Sequence, residues 1–184
     1  KQLFEAKTDM IELKYATRNA SKIKENCTKQ KINYTRLLDI LFPELATFLG
    51  SPTAKHDSSI YAVLKEFPSP KKLANAHLRK LTNLLSSHSR GRFGKEQALA
   101  LKELASESVG SESPALEFEL LQTIDTIEYF TNQRKLADKE VAKIMDEIDS
   151  PILSIPGIGI TLGSIILAEI RDIDNFKSPN QLLA

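Results

Sequence analysis

The 184-residue chain is 41% hydrophobic and 27% charged with a net charge of +1, a balance that marks a globular protein rather than a disordered or fibrous one. No run approaches the roughly 20 apolar residues a membrane span requires, and the opening KQLFEAKTDM lacks the basic-then-apolar order of a secretory signal. The single Cys27 can form neither an internal disulfide nor a thiolate metal centre, which points to a reducing cytoplasm.

The first region, residues 1–50, carries a long helical pattern over 1–42. Leu13, Ala16, Ala20, Ile23, Cys27, Gln30, Tyr34, Leu37 and Leu41 recur at alternating steps of three and four, a heptad-like seam thinned by the alanines and the glutamine. Phe42-Pro43 ends it, because the residue before a proline is pushed out of the α region. A one-sided stripe needs a partner. Ala20, Ile23, Cys27, Tyr34, Leu37 and Leu41 are the residues expected to meet a second copy of the chain, with an intramolecular hairpin as the alternative.

Residues 51–110 read as a cap of short helices at 57–66, at 70–85 with a split near Asn75, and at 94–108. Phe67-Pro68-Ser69-Pro70 and Ser89-Arg90-Gly91-Arg92-Phe93-Gly94 separate them. The region 111–150 holds a second long helix over about 115–149, with Leu120, Ile124, Ile127, Phe130, Arg134, Ala137, Val141, Ile144 and Ile148 as its stripe. Asp149-Ser150-Pro151 interrupts it. No alternating β-branched run is flanked by a hairpin turn. The expected fold is all-α: two long antiparallel, coiled-coil-like helices, a small inserted helical cap, and a further element in 151–184.

That last element turns on Pro156-Gly157-Ile158-Gly159-Ile160-Thr161. Pro156 sets one backbone angle, and Gly157 and Gly159 permit positive φ and a close approach. A helix starting just after Gly159 would leave its first amides unpaired and aimed out of the turn, ready for an anionic oxygen. This is the build of a helix-hairpin-helix element, which grips nucleic-acid phosphate through Pro156 to Thr161 rather than reading bases. A tight helix–helix turn with no ligand is the plainer alternative. Further on, Ser178-Pro179 with Gln181 has the pattern of a helix start, so the chain is expected to be a piece of a longer protein.

Net charge hides opposed segments. Residues 71–95 carry seven basic side chains (Lys71, Lys72, Arg79, Lys80, Arg90, Arg92 and Lys95) and no acidic one, whereas residues 96–150 carry thirteen acidic and five basic. The basic window could hold several phosphates with an attraction that weakens steeply in salt, unless the acidic helix beside it balances the charge. No catalytic residue and no metal site is expected in this chain. The carboxylates sit at spacings of solvated helix faces, the three histidines lack ligand spacing, and Ser154 has no base near it.

Leu153-Ser154-Ile155-Pro156-Gly157-Ile158-Gly159, followed by Ala168-Glu169-Ile170, Asp172-Ile173 and Phe176-Lys177-Ser178, resembles the opening of the C-terminal domain of insertion-sequence-110 family transposases. Ordered weaker echoes run through Phe42-Pro43-Glu44, Leu64 to Pro70 and Ser89 to Gly94. The resemblance implies a bacterial, cytoplasmic enzyme that joins a DEDD nuclease-like domain using divalent metal such as Mg to a C-terminal domain bearing a nucleophilic serine. Such enzymes cut and rejoin DNA strands to mobilise an insertion sequence, and are guided by a bridge RNA. In that frame this chain is the middle linker and the start of the C-terminal domain, a DNA-binding and dimerising segment without the active centre. Asp9, within Lys7-Thr8-Asp9, is the one possible trace of the metal-binding domain. A repair or recombination accessory protein and a purely structural coiled-coil spacer are the competing readings.

Overall fold

The computed structural model describes residues 2–51 and 53–170, with side chains from residue 9 onward. Among these residues every regular element is helical, and there are eight α-helices. Helix α1 (Gln2–Leu41) and helix α7 (Pro114–Ile148) are the long ones, close to the spans the periodicity indicates. Between them lie α2 (Glu44–Phe48), α3 (Ser58–Glu66), α4 (Pro70–Ala74), α5 (Leu78–His88) and α6 (Lys95–Ser106). A one-turn 3-10 helix, Pro151–Ser154, then precedes α8 (Ile160–Ile170).

The chain divides into two compact units, one of residues 1–26 with 129–184 and the other of residues 27–128. In the first unit Leu13 of α1 packs with Val141 and Met145 of α7 and with Ala168 of α8. Met10, Ala16, Ala20, Ile144, Ile148 and Leu167 surround them. Lys14 and Arg18 of α1 both reach Glu169 of α8, at 3.2 and 3.4 Å. The hydrogen bond and charge of Lys14 hold the Glu169 carboxyl below the usual carboxylate range.

The second unit is the inserted helices together with the parts of α1 and α7 that carry them. Cys27, Tyr34, Leu37 and Leu41 were expected to form a dimer seam, and they are instead covered by their own chain. Tyr34, Leu37 and Leu41 have no exposed surface at all. Ala20 and Ile23 are half-buried. This part of α1 meets both the insert, through Tyr34 against Tyr61, and α7, through Asn33 and Arg36 against Glu119. Cys27, the one cysteine of the sequence, is buried.

The Tyr34 ring stands edge-on to Tyr61 at 5.2 Å, and its hydroxyl donates to the Lys55 carbonyl at 2.8 Å. His56 Nδ1 bonds the Tyr61 hydroxyl at 2.8 Å. Burial pushes both tyrosine hydroxyls up, so both remain protonated. Burial, then the charges of Lys31 and Lys55, lower the His56 pKa to about 4 from an ordinary value of 6.5. The unfolded chain therefore binds more protons between those values. Stability from this group is full above pH 6.5, falls as the pH drops toward about 4, and changes no further below it. His56→Gln should flatten this part of the melting-temperature profile relative to the wild type. Parallel profiles for the two proteins would rule the assignment out.

The loop returning from the insert is fastened to the end of α1. The Ser111 amide donates to the Ile40 carbonyl at 2.9 Å. Glu44 accepts from the Ser108 hydroxyl at 2.7 Å and the Val109 amide at 2.9 Å. Partial burial alone would raise the Glu44 carboxyl, but these two donors outweigh it and hold it below its ordinary value. Gly110 lies so close to α1 that a Cβ there would stand 2.0 Å from the Leu41 carbonyl oxygen. Gly110→Ala should thus cost about 1–3 kcal/mol through overpacking. Gly94→Ala, whose Cβ would meet only the Gln97 side chain at 3.8 Å, should cost about 1 kcal/mol or less as a lost N-cap preference. Urea unfolding followed by circular dichroism compares the two, and equal losses would contradict the clash.

Candidate nucleic-acid interface

The Pro156 to Thr161 turn sits on the surface of the first unit. Pro156, Gly157, Gly159, Ile160 and Thr161 are exposed, and Ile158 is half-buried. Gly157 has φ of +88°, the left-handed region where a Cβ is penalised. A Cβ on either Gly157 or Gly159 would meet nothing within 4 Å. Among the described residues nothing packs against these glycines, and the turn's outer side is clear.

Helix α8 begins at Ile160, and its first ladder bond runs from the Gly163 amide to the Gly159 carbonyl at 2.8 Å. Among the described residues no acceptor faces the amides of Ile160, Thr161 and Leu162. Aligned peptide dipoles place roughly half a positive charge at such an end. An oxyanion approaching the turn thus meets free donors and a favourable field.

What fastens the turn differs from the sequence-based expectation. Ile155 and Ile165, the apolar residues on either side of the turn, are 49% and 42% exposed. The close approach falls instead at Gly163, where a Cβ would lie 3.0 Å from Leu153 and 3.3 Å from Ile152. Gly163, Ser164 and Ala168 form the buried side of α8. Their signal in the sequence is a small-residue spacing, which is visible only once α8 is seen to face inward there. The element before the turn is a single 3-10 turn, opened by the Ser150 hydroxyl accepting from the Ile152 amide at 3.3 Å.

The basic window lies in the second unit, and much of it is matched by carboxylates. Lys71 pairs with Glu112 at 3.1 Å, Lys72 with Glu117 at 2.7 Å, Arg92 with Asp57 at 2.8 Å, and Lys80 with Glu66. All four cations are exposed, so each pair is worth only about 0–1 kcal/mol and can be exchanged for another anion. Among the described residues Arg79, Arg90 and Lys95 make no ion pair. Arg90 and Arg92 line one cleft.

Asp9 is half-buried on α1. Among the described residues no three His, Cys, Asp or Glu side chains converge. No described helix is long and apolar enough to cross a membrane.

A family model described as Transposase IS116/IS110/IS902 family matches residues 149–184. The matched stretch contains the open turn and all of α8. Its remainder, with Asp172-Ile173, Phe176-Lys177-Ser178 and the helix start expected at Ser178, lies outside the described residues. No curated protein and no solved structure matches the chain.

The backbone angle of Gly157, φ +88°, itself disfavours any other side chain. Gly157→Ala should cost about 1–2 kcal/mol through left-handed φ alone, and Gly157→Asn less, because asparagine tolerates that region. Chemical unfolding of the two variants tests the order; equal stability of all three proteins would refute it.

Proposed function

We propose that the chain is a nucleic-acid-binding segment of a DNA transposase that cuts and rejoins strands to mobilise an insertion sequence. In this reading residues 151–170 act as a helix-hairpin-helix-like element. Pro156 to Thr161 take one backbone phosphate, with the amides of Ile160, Thr161 and Leu162 as donors. The observation that carries it is the open face of Gly157 and Gly159 beside those free amides, inside the stretch that matches the transposase family model. A core-packing turn would have the glycines against protein. Here they face outward.

The basic side chains of the insert supply a second, sequence-independent attraction toward DNA or a guide RNA, with Arg79, Arg90 and Lys95 available without breaking an ion pair. The long helices act as the scaffold joining the chemistry of the parent enzyme. Self-association is not assigned to Tyr34, Leu37 or Leu41, which the chain has already covered.

Gly159→Val separates binding from folding. Its side chain would enter open space, so stability should fall by only about 1 kcal/mol, the scale of a changed cap. Affinity for short duplex DNA, measured by fluorescence anisotropy at fixed salt, should fall roughly tenfold, about the strength of one charge-assisted contact set. Amide signals of Ile160 and Thr161 should move when DNA is added to the wild type. If affinity is unaffected and those signals stay in place, the turn does not bind phosphate.

A further inference from the structure

We infer that a cleft beside the turn, walled by α1, α7 and α8, takes one unpaired nucleotide, with the base inside and the phosphate at the rim. The inference rests on the nucleic-acid reading above and deepens it, since the strand passing the turn is then unpaired at that point. The cleft measures about 80 Å³ and is partly open to solvent. That is room for part of one planar ring, with the sugar and phosphate left outside.

The cleft owes its existence to one residue of the α7 stripe. Phe130, Arg134, Ala137 and Val141 follow helical spacing, and Arg134 puts a charge where the pattern calls for an apolar side chain. The other walls carry small residues, Ala20 and Ser21 on α1 and Ser164 on α8. An ionised guanidinium resists burial, so it does not fill the space they leave. The Arg134 side chain is 47% exposed and pairs with Asp138, one turn along its own helix, at 3.5 Å. An exposed pair of this kind is weak and leaves the guanidinium able to take another anion.

Floor and rim differ in chemistry. Thr17, Val141 and Ser164 are the buried residues of the lining and make its floor. The Thr17 hydroxyl donates to the Lys14 carbonyl at 3.1 Å, and the Ser164 hydroxyl donates to the Thr161 carbonyl at 3.0 Å. The floor thus offers apolar surface and no unspent hydroxyl donor. An anion lodged there would lose its hydration without replacement, whereas a flat ring would gain contact. At the rim the order is reversed. Lys24 and Arg134 are exposed there, and Ser21, Thr161 and Asp138 present hydrogen-bonding groups for the polar edge of a base.

A ligand suited to both zones is apolar and flat at one end and anionic at the other. Position selects a nucleotide over an apolar side chain of a protein partner. Ile160 and Thr161, whose amides are the donors proposed for the turn, also line the cleft. A strand held at the turn therefore carries a neighbouring nucleotide to the opening, with its phosphate toward the rim cations. A base inside a duplex is stacked and paired, so the cleft admits one only where the strand is unpaired.

The test uses the whole chain and three DNA duplexes of one sequence: fully paired, with a single unpaired fluorescent aminopurine nucleotide, and with an abasic residue at that place. The wild type should bind the aminopurine duplex roughly fivefold tighter than the paired one, the low end of what one seated base contributes. The probe's fluorescence should change on binding. Ala20→Leu, which fills the cleft from α1, should keep the affinity for paired duplex and abolish both the preference and the fluorescence change. If Ala20→Leu loses its cooperative melt, Ser21→Leu at the exposed rim makes the same comparison. Arg134→Gln should weaken binding of the aminopurine duplex roughly threefold and lower its salt slope by about one. Equal wild-type affinity for all three duplexes, with Gly159→Val weakening each, would overturn the cleft site and leave the turn's function standing. A preference that survives the filled cleft, or that the abasic duplex shows equally, would overturn it as well. Failure of the wild type to bind any duplex would overturn the nucleic-acid reading and this site with it.

Discussion

The closure of the insert on the end of α1 is the constraint on which the second unit depends. A helix that stops at Phe42-Pro43 leaves its last carbonyls without intrahelical partners. One of them, on Ile40, is taken by the Ser111 amide as the chain comes back from α6. Gly110 allows that return because it alone can lie against the Leu41 carbonyl. Glu44, just past the proline, grips Ser108 and Val109 from the other side. The insert thus leaves and re-enters the long helices through one stitched point. Its five helices then form a closed unit with the parts of α1 and α7 that carry them rather than a loose excursion.

Charge in this molecule is organised by exchange rather than by excess. The basic window is not a bare positive surface, since Lys71, Lys72, Lys80 and Arg92 already hold carboxylates. Exposed pairs of this kind add little stability, and a polyanion can displace the carboxylate at modest cost. Among the described residues protein partners are missing at Arg90 and at the amide end of α8. A backbone donor in direct contact with an anion is screened less readily than a side-chain charge held at a distance.

The long helices were legible because their stripes persist over many turns and their breakers are prolines. The short helices were legible for the same reason in miniature, with Pro70 at the first turn of α4 and the split near Asn75 falling between α4 and α5. The partner of each stripe could not be read. Tyr34 and Leu37 have the spacing of a dimer seam and of an intramolecular core alike, and only the positions of α3 and its neighbours decide between them. Gly110 is similarly silent in sequence, sitting in a Ser-, Glu- and Gly-containing loop that reads as an ordinary connection. The glycines of the turn were legible as a pair, but the packing role belonged to Gly163, inside α8. Ion pairing across the insert was visible only as complementary totals, not as particular partners.

Cys27 has a use that follows from its solitude and its burial at 8% exposure. A thiol reagent can modify it only when its surroundings part, so in the regime of fast reclosing the alkylation rate is the chemical rate scaled by the open population. The molecule therefore carries a native clock for breathing at the middle of α1, with no label added and no second thiol to confuse it. Any ligand that steadies that region slows the clock, and the slowing converts directly into a coupling free energy between the bound site and the helix interior.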